Sequence, residues 1–367
     1  MTLPSSRNSF IERSSCPNPG GEQSVQEYIH GDAQVAIGES EVSRFRIASL
    51  VGYGLRAIGV TILAIVLLLS LLGAIGHVAR LNAEPPFQLV EVEVDRRLHV
   101  RCEGQNGAPF VLYDAGAFGI YADGWWIKEA LKADYPVCIY DRAGMGWSDP
   151  VPTDTAPTPA WHVEDIRRLR AALGETTPFI LVGHSMAGLR LHAYANTYPD
   201  ELAGLVFVDA ARPQRLEDSR MASLVPWFGR IMSIGGVLAR TGIAGGGAFL
   251  LPDELDLPEQ QAQDKRRSIA AVSHHSAARS EVLAAFGSDY AGSQPDTTPA
   301  GNLPVVVYST SEDGGANRTA AQSASSKAGF GRIRGMPEES HVSLLDRQSA
   351  ELIAADIRDM SAHLSKP

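Results

Sequence analysis

The sequence predicts an α/β protein, with a mostly parallel β-sheet covered by helices on both faces and one transmembrane helix before it. Two observations predict the sheet. Continuous apolar runs of about four residues, typical of buried strands, recur along the chain, and segments of helical length lie between them. The membrane helix is predicted by a third observation, an uncharged apolar segment over residues 57–76.

The composition indicates a large core and excludes some classes of function. The chain has 367 residues, of which 44% are hydrophobic and 20% charged, enough for one large or two ordinary domains. A net charge of -10, without a basic cluster that includes aromatic residues, argues against a nucleic-acid partner. The three cysteines have no metal-ligand spacing, and we expect neither a metal nor another cofactor.

The first part of the chain changes character sharply. Residues 1–46 are rich in polar residues and lack a sustained apolar period, so we expect a disordered tail. A membrane anchor is predicted over residues 47–80, because the 20 uncharged residues at 57–76 suffice to cross a lipid bilayer as a helix. A core helix rarely lacks polar residues on every face, and a cleaved signal peptide usually starts nearer the N-terminus.

The charges beside this segment predict its orientation. Arg44, Arg46 and Arg56 precede the apolar residues, and Arg80 follows them. Because positive charge favours the cytoplasmic side, we expect a single-pass protein with its tail inside and its large C-terminal part outside the cytoplasm.

Strand signals begin after residue 86. Residues 89–94 and 98–102 alternate between apolar and polar side chains across a tight turn, which predicts a hairpin at a half-exposed sheet edge. Buried strands are predicted by the apolar runs at residues 110–113, 137–140, 179–182, 205–208 and 303–308, and a last short strand at 330–334.

One of these runs leads into a turn that can carry chemistry. Small residues on both sides of Ser185 permit a sharp strand–turn–helix, which lifts the serine hydroxyl off the backbone. The same turn leaves the Met186 N–H free at the start of a helix. The sequence therefore predicts a nucleophile and one donor for a developing oxyanion.

Three motifs resemble those of the α/β-hydrolase fold family, in the group of serine hydrolases with an inserted cap. They are residues 114–116 (Asp-Ala-Gly), 140–148 (Tyr-Asp-Arg-Ala-Gly-Met-Gly-Trp-Ser) and 183–188 (Gly-His-Ser-Met-Ala-Gly), each following a predicted strand. The resemblance implies the α/β-hydrolase fold for residues 86–367, with a helical cap at about residues 212–300.

The family also implies a catalytic triad in the chain order serine, acid, histidine. Ser185 is the nucleophile, and His341, after the last predicted strand, is the base. Asp313 is the predicted acid, because it follows the penultimate strand by a few residues. Two alternatives stay open, the neighbouring Glu312 and Asp209, which ends the strand after the nucleophile.

By position in the family's motif, the Ala117 N–H is the second predicted oxyanion donor, beside that of Met186. The chain departs from the family at two positions. It has Ala115-Gly116 where the family usually has His-Gly, and Ala187 where the serine motif has glycine.

The cap contains an apolar stretch that begins at residues 224–232. Two interpretations stay open for it: packing on the catalytic domain, or a hydrophobic ceiling over the substrate. The expected function is cleavage of a carboxylic ester or related acyl bond of a small, apolar substrate. An aminopeptidase, an acyltransferase and a catalytically inert binding module are the alternatives.

The resemblance has a consequence for two cysteines. In this fold the second strand, with Cys102, is expected beside the fourth, with Cys138. Outside the cytoplasm the pair can form a disulfide if both side chains share a face and a register, while Cys16 stays reduced. Two buried thiols are the alternative.

Overall fold

The structure is a computed structural model that describes residues 26–81, 83–105, 109–213, 220–248, 253–286 and 303–365. Its contacts divide the chain into two compact units, residues 1–65 and residues 66–367.

A single long helix, α1 (Gln26–Leu81), contains the predicted anchor. Its segment Ala48–Ile75 is long and apolar enough to cross a membrane and is almost entirely exposed. Part of the predicted tail is helical, since α1 begins at Gln26, and residues 1–25 lie outside the described residues. Residues 26–46 contain no proline, and extending an existing helix costs much less than nucleating one.

The larger unit is built on an eight-stranded sheet in the order β1-β2-β4-β3-β5-β6-β7-β8. The first two strands form an antiparallel hairpin, β2 is antiparallel to β4, and the remaining neighbours are parallel, as the sequence predicts. The strands are β1 (Gln88–Glu93), β2 (Arg96–Glu103), β3 (Val111–Asp114), β4 (Val137–Tyr140), β5 (Phe179–His184), β6 (Leu202–Val208), β7 (Val305–Ser309) and β8 (Gly331–Gly335).

Helices cover both faces of the sheet because its central strands are apolar on both sides. The helices that pack on it are α2 (Trp125–Leu131), α3 (Pro159–Ala172), α4 (Ala187–Thr197), α9 (Arg318–Lys327) and α10 (Arg347–Leu364). Along β3, Val111 and Tyr113 join the core under α2 and α10, whereas Leu112 joins the core under α3, α4 and α9.

A helical insertion separates β6 from β7, where the sequence predicts a cap. Its described helices are α5 (Arg220–Arg240), α6 (Ile243–Ala248), α7 (Glu259–Ile269) and α8 (Val272–Ala285). Residues 214–219, 249–252 and 287–302 of the predicted cap lie outside the described residues.

The expected neighbours β2 and β4 bring two cysteines together. Cys102 lies directly opposite Cys138 in the antiparallel register, with the Cα atoms 4.1 Å apart, and the two form a disulfide. The bond joins the hairpin at the sheet edge to the parallel core. Cys16 lies outside the described residues.

We predict that alkylation of the unfolded, unreduced protein labels one cysteine, Cys16, and that reduction exposes two more. The disulfide closes a loop with a sequence separation of 36 residues, so the Cys102→Ser/Cys138→Ser double variant should lose up to about 4 kcal/mol of unfolding free energy. Mass spectrometry and denaturant titration check the two parts. Three thiols accessible before reduction would contradict the bond.

Candidate active site

The turn between β5 and α4 holds Ser185 in a left-handed backbone conformation, with φ of 56°. This conformation is costly for a residue with a side chain and persists only where the surroundings enforce it. Two glycines permit the turn: a Cβ at Gly183 would overlap the Leu191 side chain, and one at Gly188 would overlap the Ala211 carbonyl oxygen. After Ser185, the position that must be glycine is therefore Gly188, and the Ala187 side chain fits in the core.

The loop after β8 brings His341 to this serine. The His341 Nε2 atom lies 2.9 Å from the Ser185 Oγ atom, and its Nδ1 atom lies 2.6 Å from an Asp209 carboxylate oxygen. With the proton on Nδ1, the imidazole donates to Asp209 and accepts from the serine hydroxyl. The three side chains form a continuous hydrogen-bonded chain.

Asp209 immediately follows β6, also in a left-handed conformation, with φ of 41°. Its carboxylate accepts from the Thr310 N–H at 3.3 Å and lies 3.4 Å from the Ser309 hydroxyl, at the end of β7. Burial opposes ionisation, but the hydrogen bonds from His341 and Thr310 outweigh it and lower the pKa of Asp209. The residue is held as a carboxylate.

The prediction of Asp313 as the partner of His341 is wrong. Its exposed carboxylate accepts from the Gly315 N–H at 3.1 Å and lies 3.4 Å from Arg318. Glu312 is also exposed, and its backbone packs against Gly335. Both residues lie past the end of β7, whereas the alternative, Asp209, sits at the end of the strand between the nucleophile strand β5 and β7.

His184 contacts His341 directly. Its Nε2–H donates to the His341 carbonyl oxygen at 2.9 Å, and the two rings lie 4.5 Å apart. Burial, and then the nearby His341, lower the pKa of His184 to about 4. The ring is therefore neutral near pH 7.

The two predicted oxyanion donors lie on segments that meet at Ser185. Met186 caps the start of α4, and its side chain forms a small apolar cluster near which Ala117 packs. Gly116 lies so close to the nucleophile that an added Cβ would be 2.8 Å from the Ser185 Cβ. This contact explains why the loop after β3 has glycine at position 116.

Two buried arginines fix the carbonyl groups of that loop. Arg142 donates to the Ala115 and Gly116 carbonyl oxygens, at 2.7 Å each, and Arg190 donates to that of Ala115 at 2.5 Å. Charged donors make stronger hydrogen bonds than neutral ones, so the peptide planes of the loop are firmly oriented.

Two carboxylates balance these arginines. Asp114, at the end of β3, lies 2.6 Å from Arg190, and Glu281 of α8 lies 2.7 Å from Arg142 and 3.2 Å from Arg190. All four side chains are essentially buried. Burial opposes ionisation of Glu281, but the two arginines outweigh it and lower its pKa well below the usual range. We call these four residues the charge cluster.

A cavity of about 440 Å³ opens beside Ser185. Its lining includes Ser185, His341 and Asp209, which places the hydrogen-bonded chain on its wall. Phe228 of α5 and Phe286, just after α8, contribute aromatic surface from the cap side. Polar groups come from the end of β7 and the segment that follows it, namely Ser309, Thr310, Ser311 and Asn317.

Comparison with known proteins gives the same architecture. A family model described as the alpha/beta hydrolase fold matches residues 115–245. The structure of a thermophilic esterase from Thermogutta terrifontis, solved with malate bound, is similar with a TM-score of 0.52 and 21% identity. That similarity covers 72% of this chain and 94% of the esterase. The chain has the α/β-hydrolase fold.

Curated relatives match only part of this α/β-hydrolase-fold chain. An uncharacterised protein of Schizosaccharomyces pombe is 29% identical over 36% of this chain and 30% of its own length. An uncharacterised vacuolar membrane protein of Saccharomyces cerevisiae is 25% identical over 38% of this chain and 24% of its own. The chain thus spans about a third or less of the length of these relatives.

Sequence reasoning missed several residues that shape the site. Glu281 lies 139 residues from Arg142, and a single glutamate on a polar helix gives no signal of burial. Arg190 and His184 had a weak signal, since His184 lies within the serine motif at the end of the buried strand and Arg190 follows the motif by two residues on the buried helix.

We predict that His184 makes stability depend on pH. Because folding lowers its pKa from 6.5 to about 4, the unfolded state binds a proton first as the pH falls. Stability is then lost between about pH 6.5 and 4, by up to about 3 kcal/mol. His184→Gln keeps a donor for the His341 carbonyl without an imidazole, so its unfolding free energy should decline less over this range. Parallel curves for both proteins in denaturant titrations would contradict the prediction.

Proposed function

We propose that the protein is a serine hydrolase that cleaves a carboxylic ester or a related acyl bond. One observation carries the proposal, the hydrogen-bonded chain of Ser185, His341 and Asp209 at a cavity wall. This order of groups matches the requirements of acyl transfer through a serine nucleophile, namely a base within reach of the hydroxyl and an acid that orients the base.

The proposed reaction has two stages. The His341 Nε2 atom takes the proton of Ser185 as the serine oxygen attacks the acyl carbon, and then gives it to the leaving group. Asp209 holds the Nδ1–H and offsets the positive charge of the imidazolium. Water then attacks the acyl-enzyme with the same base, which releases the acid and restores the serine.

Ala117 and Met186 are the proposed backbone donors to the tetrahedral intermediate. In a trans peptide the carbonyl and the following N–H point in opposite directions. The Gly116 carbonyl points at Arg142, so the Ala117 N–H points away from that guanidinium. The guanidinium also polarises the peptide, which strengthens the N–H as a donor. The Met186 N–H lies at the start of α4, where the helix dipole favours negative charge.

The cavity supports a small substrate with an apolar acyl group. Phe228 and Phe286 line it, and Phe286 also packs on an apolar cluster that includes Met186 and Leu189. An aminopeptidase or acyltransferase would use the same triad, so substrate screening must separate them. A catalytically inert binding module does not require a serine within hydrogen-bond distance of a histidine.

The proposed location is a membrane, with the catalytic domain outside the cytoplasm. Helix α1 can span a bilayer by length and composition, and the arginines before it favour a cytoplasmic N-terminus. The Cys102–Cys138 disulfide supports the same orientation, because such bonds persist in oxidising compartments.

We predict that Ser185→Ala and His341→Ala each lower kcat by at least about 10⁴-fold, because triad members act as a unit. Asp209→Asn should lower it by about 10⁴-fold, since it disturbs the tautomer of His341. The matched control, Asp313→Asn, should stay within about twofold of the wild type because its carboxylate lies away from His341. Rates on an activated ester and labelling by a fluorophosphonate probe measure these effects. An active Asp209→Asn beside an inactive Asp313→Asn would refute the acid assignment.

A second prediction concerns the acyl group. Each buried methylene contributes about 0.8 kcal/mol, so kcat/KM should rise about fourfold per methylene from acetyl upward until the cavity is full. The test uses one alcohol throughout and a succinyl ester as the charged comparison. An optimum at acetyl, or at the charged ester, would show that the acyl site is not apolar.

A further inference from the structure

The cap helix α5 exposes large apolar side chains. The side chains of Trp227, Ile234 and Val237 are more than half exposed, at 62%, 59% and 56%, and those of Phe228, Ile231 and Leu238 are also exposed. A helix on the surface of a soluble domain normally turns such residues inward and polar residues outward. Contiguous exposed apolar surface marks a site of interaction with a protein or a membrane.

Four of these exposed residues form one stripe. At about 100° per residue, Trp227, Ile231, Ile234 and Leu238 fall within about 60° of one another around the helix axis. We call these four residues the α5 stripe. Arg230 and Arg240 are exposed on the same helix, a combination typical of helices that lie in a membrane interface.

Helix α5 packs on α8 through glycine. A Cβ on Gly229 would be 3.4 Å from Leu283, and one on Gly235 would be 2.6 Å from the His275 ring, both on α8. Because small residues make the contact with α8, the large apolar residues are left outside. The exposed stripe is therefore a consequence of how α5 packs on α8.

A bilayer is the partner that the rest of the chain supports. Within the unit of residues 66–367, Gly73 of α1 packs directly on Gly242 and Gly245, in the turn after α5 and in α6. Gly73 lies two residues before the end of the apolar segment Ala48–Ile75. The C-terminal end of α5 is thus adjacent to the point where α1 would leave the membrane.

The cavity beside Ser185 is also lined by an exposed residue of α5. Phe228 follows Trp227 in the chain, is 43% exposed and lines the cavity that contains Ser185 and His341. An apolar substrate dissolved in the lipid would therefore have a short path to the nucleophile along the side of α5.

We propose that the α5 stripe docks on the bilayer that α1 spans and that the substrate enters the cavity from the lipid. The docking is inferred from the exposed surface of α5 and its position beside α1. The entry of substrate also rests on the proposed function. The partner is a lipid surface, with the stripe at the depth of the upper acyl chains and Arg230, which flanks the stripe, at the headgroups.

The docking is tested with the full chain reconstituted in phosphatidylcholine vesicles with and without brominated acyl chains. Bromine quenches tryptophan fluorescence at short range, so the wild type should be quenched more than Trp227→Phe, which shares the other four tryptophans. Equal quenching of both proteins would overturn the proposal. A wild-type dimer that dissociates in Ile234→Ser would also overturn it, because it would show that a second copy of the chain covers the stripe.

The entry of substrate is tested with Ile234→Ser and the matched control Leu352→Ser, an exposed leucine on α10. We expect Ile234→Ser to lose about tenfold in the rate on a long-chain ester dissolved in the vesicles, with no change on a short soluble ester. The control should change neither rate. Equal losses on both esters would overturn the entry route. Quenching without hydrolysis of any ester would leave the docking supported and refute the proposed function.

Discussion

The arrangement of the candidate active site depends on the charge cluster. Asp114, Arg142, Arg190 and Glu281 bury two positive and two negative charges. Moving one such charge out of water costs several kcal/mol, and only close pairing offsets the cost. The four groups come from β3, the loop after β4, α4 and α8, so a shift of any one element would leave a charge without its partner. The cluster therefore holds the cap, the serine helix and the loop beside the nucleophile in one arrangement.

The same cluster accounts for the departure from the family's motif. Where the family usually has histidine, this chain has Ala115, whose carbonyl accepts from both arginines. The arginines orient the loop through its backbone, and a buried guanidinium needs no particular side chain at that position. The departure is compatible with an intact oxyanion loop because backbone groups, and not side chains, receive the orienting hydrogen bonds.

Much of the fold follows from local patterns, whereas the carboxylate that contacts His341 does not. Four-residue apolar runs are typical of strands buried on both faces by covering helices, so the strands were predictable. That β2 lies beside β4 followed from the resemblance to the family. Asp209 and Asp313 both follow parallel strands, and parallel strands end at the same edge of the sheet. The choice depends on a left-handed turn at Asp209, which directs its carboxylate to His341. No neighbouring glycine or proline marks that turn. The charge cluster was equally hidden, because its members lie far apart in the chain.

The cap shows why its apolar stretch could not be assigned from sequence. Packing on the domain and a ceiling over the substrate both assume that a helix buries its large side chains. In α5 the glycines at positions 229 and 235 make the contact with α8, which leaves the α5 stripe outside. Among the α5 side chains that the structure describes, Phe228 is the exposed apolar one that also reaches the cavity lining. One helix thus has a packing face, a cavity face and an apolar outer face. Counting hydrophobic residues along the sequence cannot distinguish these three faces of α5, because the glycines determine which side of the helix is buried.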